Sequence, residues 1–123
     1  MNALILLVED NAMNLKLARD VLRFHGFHTI EATTGADGVA AAEEQGPDVI
    51  LMDIHLPDMD GVVALRQLRL RPATAAIPVV ALTALAMDAD RERLEAAGFD
   101  GYLVKPIDIK RFPEQVRSYC QPP

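Results

Sequence analysis

The sequence has one cysteine, Cys120, so it has no internal disulfide framework and no Cys-based zinc site. It has no long uninterrupted apolar stretch, which excludes a transmembrane helix. Met1-Asn2-Ala3-Leu4 lacks a basic segment ahead of its apolar residues, so it does not read as a secretory signal. Basic residues are in deficit, twelve against eighteen acidic, for a net charge of −6. That argues against a nucleic-acid surface, which needs a basic face. No internal repeat, linker or low-complexity tract is visible. What is there is 123 residues, half of them hydrophobic and 24% charged. This suits one domain over 1–123, able to bury roughly two thirds of its unfolded surface. An acidic, soluble, cytoplasmic protein is expected.

Short apolar runs punctuate the chain. Ala3–Val8, Asp48–Met52 and Ile77–Leu82 are apolar at nearly every position and rich in branched side chains. Such runs suit strands covered on both faces of a parallel sheet. Gly101–Val104 is a weaker run. Phe27–Glu31 alternates, which predicts a strand at or near an edge. Between the runs lie helical patterns. Leu15, Ala18 and Leu22 follow Asn11 as N-cap, and Gly26 stops that helix. A second, around Val39 and Ala42, ends at Gly46-Pro47, and a third, with Val62, Leu65 and Leu68, ends before Pro72. Residues 84–97 are helix-prone with a poorly defined apolar face. Ile109, Phe112, Val116 and Tyr119 mark a last amphipathic stretch, and Pro113 within it sets the helix start near Phe112, with Pro113 in the first turn. Strands alternating with helices predict an α/β, doubly wound, five-stranded parallel sheet of order 2-1-3-4-5, the (βα)5 flavodoxin-like architecture.

In such sheets ligands bind beyond the carboxyl ends of the strands. Those ends carry Glu9-Asp10, Asp53, Thr83-Ala84 and Lys105-Pro106. Each alone has an ordinary structural explanation, as a turn, a cap or a loop. Together they place three carboxylates, a hydroxyl and an ammonium at one mouth. Clustered carboxylates repel unless a cation neutralises them. An all-oxygen set with few histidines points to a hard ion, and Mg²⁺ takes one or two carboxylates plus a phosphate oxygen. Asp58-Met59-Asp60-Gly61 is superficially similar to a calcium loop, but the remaining EF-hand positions are missing.

Leu7-Val8-Glu9-Asp10-Asn11, the segment from Leu51 to Gly61, Val80-Ala81-Leu82-Thr83-Ala84 and Tyr102-Leu103-Val104-Lys105-Pro106 closely resemble the receiver domain of two-component response regulators. The resemblance spans the chain in spacing and residue type, and it is nearest to stand-alone receivers such as those of alphaproteobacterial cell-cycle relays. It implies a protein that is not an enzyme beyond assisting its own phosphorylation and dephosphorylation. Asp53 would be the phosphoacceptor. Mg²⁺ would be held by Asp10, Asp53 and the backbone carbonyl of His55, with Glu9 acting through water. Lys105 would pair with the carboxylate before reaction and with the phosphoryl group after it. The Lys105-Pro106 bond resembles the family's cis peptide. Thr83 would be drawn to the phosphoryl group, Ala84 would leave room for a backbone amide, and Tyr102 would rotate into the vacated space. His55 and Leu85 would tune phosphoryl lifetime. Leu85 would slow hydrolysis, and the direction for His55 stays open, as does an inert exposed role.

The implied donor is a sensor histidine kinase or a histidine phosphotransfer protein, meeting the chain at Asn14, Leu17, Ala84, Pro106 and Ile107. Leu17 and Ile107 would form a small apolar dock, unless they pack inward. No output domain is expected, so signalling should pass through a downstream protein target, without direct nucleic-acid or membrane contact. The face beside Tyr102 is the expected output surface and is also open to homodimer formation. Two other classes fit less well. A haloacid dehalogenase-like phosphatase needs a second Asp where His55 stands. A flavodoxin-like cofactor carrier needs a phosphate-cradling loop where Glu9-Asp10 would repel phosphate.

Overall fold

Apolar residues at every position make strands that must be covered on both faces, and the apolar runs pair accordingly. The computed structural model describes residues 3–84 and 88–120. Its strands are β1 (Leu4–Val8), β2 (His28–Ala32), β3 (Val49–Asp53), β4 (Val79–Thr83) and β5 (Gly101–Val104). All pair in parallel, in the expected order β2-β1-β3-β4-β5. The alternating run forms the β2 edge. Boundaries differ from the apolar runs by a residue or two. Phe27 is buried, but its N–H donates to Leu22 O and closes the preceding helix instead of joining the sheet. Pro78, without an N–H, precedes β4 and contributes only its carbonyl, to Ile50.

Among the described residues, α1 (Ala12–Phe24), α2 (Gly35–Gln45), α3 (Gly61–Leu70) and α4 (Asp88–Ala97) lie in the four crossovers, and α5 (Phe112–Cys120) follows β5. The Asn11 side chain caps α1, accepting from the amides of Met13 and Asn14. Gly26 leaves the helix at φ 90°, a left-handed conformation that favours glycine. Thr34 caps α2 and Asp60 caps α3. Of the predicted helix 84–97, Ala84 is loop, residues 85–87 lie outside the described residues, and the rest is α4. Pro113 does sit in the first turn of α5.

The two faces of the sheet bury separate cores. Leu6, Val8, Ile50, Met52, Val79 and Ala81 pack with Val39, Ala42, Leu65, Leu68 and Leu94 from α2, α3 and α4. Ile5, Leu7, Val49, Leu51, Val80 and Leu82 pack with Leu15, Leu22, Phe112 and Val116 from α1 and α5. Alternate residues of each central strand thus serve opposite faces. With the flanks buried, the carboxyl ends of β1, β3, β4 and β5 are left to open into one crevice. Among the described residues, no helix is long and apolar enough to cross a membrane.

Candidate functional site

Strand register builds the crevice. Val8 pairs with Met52, so Glu9 and Asp53 come next to each other where the two strands end. Asp53 pairs with Leu82, one residue short of Thr83, and Thr83 pairs with Val104, one short of Lys105. The Lys105 amide donates to Thr83 O at 2.8 Å, which carries the β4–β5 pairing on to Lys105. The Lys105-Pro106 peptide is cis, as the resemblance implied.

The side chains meet. Lys105 Nζ lies 2.8 Å from Asp53 Oδ2 and 3.0 and 3.3 Å from the two oxygens of Glu9. The His55 N–H donates to Asp53 Oδ1 at 3.1 Å. Asn14 Nδ2 donates to Glu9 Oε1 at 2.9 Å. Glu9 and Asp53 are 2% and 6% exposed, so their ion pairs are shielded from water and salt. Asp10, at the exposed mouth, completes a set of carboxylate oxygens lying within 4.8 Å of one another. Gly61 packs so closely beneath the end of β3 that a Cβ there would sit 2.8 Å from Asp53 O.

This is an anionic cup with too little positive charge. Three carboxylates face one ammonium, and the imbalance is visible in their acidities. Burial, and then the neighbouring Asp53, push Glu9 up to about 7. Burial acts on Asp53 too, but hydrogen bonds with Glu9, Lys105 and the His55 amide outweigh it and hold Asp53 below the usual carboxylate range. Burial lowers the Lys105 ammonium, but Asp53 and Glu9 more than reverse this. The donor set suits a hard divalent cation: all ligand atoms are oxygen, the charge is in excess, and one side is open to water.

A pH dependence follows. Glu9 binds its proton more tightly in the folded chain than in the unfolded one. Its contribution is therefore complete below the ordinary carboxylate range and is lost as pH rises through about 7. Without divalent cations, the fold is expected to lose on the order of 2 kcal/mol between about pH 5 and pH 8. The opposite contribution of Asp53 falls at lower pH, below its ordinary carboxylate range. Denaturant midpoints across that interval in EDTA check this. A rise in stability would mean that Glu9 is fully compensated as an anion. Added Mg²⁺ should flatten the curve.

Other expected residues fall as follows. Thr83 is buried at its strand end, and Tyr102 is half-buried on β5 beneath Arg91, whose guanidinium lies 5.4 Å from the ring centre. The His55 side chain is exposed, as are Asn14, Ala84 and Pro106. Leu17 is 39% exposed, and Ile107 packs partly against the α1–α5 core. Leu85 lies outside the described residues. Two contributions were not anticipated. Asn14, read only as a docking residue, holds Glu9. Asp58 accepts from the backbone amides of Gly35 and Ala36. Asp60, two residues on, could have been recognised as the cap of α3, because it stands two residues ahead of the helical pattern that begins at Val62.

Comparison with known proteins places this geometry. The profile of the response regulator receiver domain matches residues 5–117. The polar-differentiation response regulator DivK of Brucella ovis is 41% identical over 115 residues, 94% of each chain. The receiver domain of the sensor histidine kinase PA1611 from Pseudomonas aeruginosa is 36% identical. It superposes with a TM-score of 0.88 over 98% of each chain, and its structure has a magnesium ion coordinated in the active-site cleft. The chemotaxis response regulator CheY4 of Vibrio cholerae, 24% identical, shares the fold with a TM-score of 0.91 over 97% of this chain and 99% of its own. The chain belongs to the response regulator receiver domain family of two-component signalling.

Proposed function

We propose that the chain accepts a phosphoryl group on Asp53 from the phosphohistidine of a sensor kinase or phosphotransfer protein, and that this changes its affinity for a downstream protein. The observation that carries the reading is the contact of Lys105 Nζ with both Glu9 and Asp53 in a cup of three carboxylates. Asp10, Asp53 and the His55 backbone carbonyl would hold Mg²⁺, with Glu9 reaching it through water. When bound, the ion neutralises the cup and the equatorial oxygens of the incoming phosphoryl group. Asp53 keeps its carboxylate charged and forms the new P–O bond. The P–N bond to the donor imidazole breaks, and the electron pair leaves with that nitrogen, which takes up a proton. Lys105 moves from the free carboxylate to the phosphoryl oxygens and stabilises charge where it gathers.

Thr83 lies one residue beyond the register partner of Asp53, within reach of a switching role, and Tyr102 lies on the next strand. Drawing the Thr83 hydroxyl to the phosphoryl group would free space for the Tyr102 ring, a two-state element biased by a new charge-assisted bond. His55, exposed beside the acceptor, and Leu85 would set how readily water reaches the phosphoryl group. The donor would dock where Asn14, Leu17, Ala84, Pro106 and Ile107 surround the mouth. A groove lined by Leu17, Ala18, Pro106 and Ile107 runs beside Glu9 and Lys105 and supports that assignment.

Incubation with acetyl phosphate and Mg²⁺, followed by intact mass measurement, tests the reading. One phosphoryl group is expected with Mg²⁺ and none in EDTA. No gain in Mg²⁺ would overturn it.

A further inference from the structure

The loop from Ile54 to Asp60, between β3 and α3, supplies the His55 amide to the Asp53 carboxylate. Where that loop stands therefore sets where the carboxylate points. Its far end is fixed locally: Asp60 caps α3, and the Gly61 amide donates to Ile54 O at 2.7 Å. Its middle is fixed at a distance. Asp58 Oδ1 accepts from the Gly35 amide at 2.7 Å, and Oδ2 accepts from the Ala36 amide at 3.0 Å. Both are N–H groups that the first turn of α2 leaves without helical partners, and the carboxylate meets the positive end of that helix. The contacts with the Ala36 and Gly35 amides hold the Asp58 carboxyl below the usual range.

Packing reinforces the tie. Met59 lies over Gly35 so closely that a Cβ at Gly35 would sit 2.6 Å from Met59 Cγ. The helix is itself seated on β1, for a Cβ at Gly38 would sit 2.8 Å from Val8 Cγ2. Val8 precedes Glu9. A continuous set of contacts thus runs from the Glu9 strand through α2 and Asp58 to the loop that holds Asp53.

We propose that Asp58 is a positioning residue for phosphoryl transfer, tying the β3–α3 loop to the N-terminus of α2 and so fixing the His55 amide against Asp53. The proposal rests on the phosphoacceptor reading above. The competing account is that Asp58 only caps α2. Thr34 separates the two, because its hydroxyl caps the same helix through a bond made within the helix, accepting from Asp37 N at 3.1 Å.

The experiment compares the parent chain with Asp58→Ala, Asp58→Asn and Thr34→Ala. It measures thermal stability, Mg²⁺ affinity, the acetyl phosphate rate and amide hydrogen exchange at His55. Asp58→Ala should bind Mg²⁺ about tenfold more weakly, as loss of a supporting partner does at metal sites. It should take up phosphate more slowly and exchange faster at His55. Asp58→Asn, retaining one acceptor oxygen, should fall between. Thr34→Ala should lose stability but keep parental Mg²⁺ affinity, rate and His55 exchange. Parental Mg²⁺ affinity and His55 exchange in Asp58→Ala would overturn the proposal, and so would a Thr34→Ala variant matching it in every measurement. A parent chain that takes up no phosphate would overturn the phosphoacceptor reading, and His55 exchange would still decide whether the clamp exists.

Discussion

Asp53→Asn is expected to take up no phosphoryl group from acetyl phosphate and to unfold at the same denaturant concentration as the parent or a higher one. The first half follows from chemistry. The carboxamide has the shape of the carboxylate but not its charged nucleophilic oxygen. The second half follows from the charge balance. In the parent, Glu9 is pushed up to about 7 by burial and by Asp53. Removing the Asp53 charge gives up its own favourable pairing with Lys105, but it relieves the repulsion on Glu9 and leaves a carbonyl oxygen to accept from the His55 amide, so the two changes are expected to offset. Lys105 keeps both oxygens of Glu9, at 3.0 and 3.3 Å. Intact mass and urea midpoints in EDTA measure the two halves separately. Phosphate uptake at the parental level would move the acceptor to another residue. A loss beyond about 1 kcal/mol would mean that the Asp53–Lys105 pair outweighs the repulsion.

Lys105→Met is expected to separate two properties that a merely structural lysine would move together. Nζ occupies the cup at 2.8 Å from Asp53 and 3.0 Å from Glu9, where a divalent cation would also be drawn. Without it, Mg²⁺ should bind more tightly, since one competing positive charge is gone. Phosphoryl transfer should nevertheless slow by about 10²- to 10³-fold, the effect of removing one preorganised charge-stabilising donor from a shielded site. Calorimetric titration with Mg²⁺ and a time course of mass gain provide the two readings. Weakened Mg²⁺ binding together with slowed transfer would indicate that Lys105 shapes the site and does not act on the phosphoryl group.

The architecture was legible because burial on both faces writes itself into the strands as unbroken apolar runs. The crevice was legible for a related reason: charged residues directly after such runs have nowhere to go but the sheet's carboxyl edge. What one-dimensional reading missed depends on tertiary contact. Phe27 is as apolar as a strand residue, yet its amide belongs to the end of α1. Asp58 stands among turn residues, and only the fold brings Gly35 and Ala36 to it across 23 and 22 positions. Asn14 carries no signal in the sequence that it would face Glu9 and not solvent alone. Ile107 and Leu17 read alike as apolar residues near the mouth, and of the two only Ile107 packs partly against the α1–α5 core.

A crystal structure of the chain with Mg²⁺ and beryllofluoride, which mimics a bound phosphoryl group, tests the central claim most directly. The beryllium should be joined to a carboxylate oxygen of Asp53. The metal should lie on the side facing Asp10 and Glu9, and Lys105 should have turned from the carboxylate to a fluoride. Fluoride density on any other carboxylate, or a metal bound away from Asp10 and Asp53, would contradict the account.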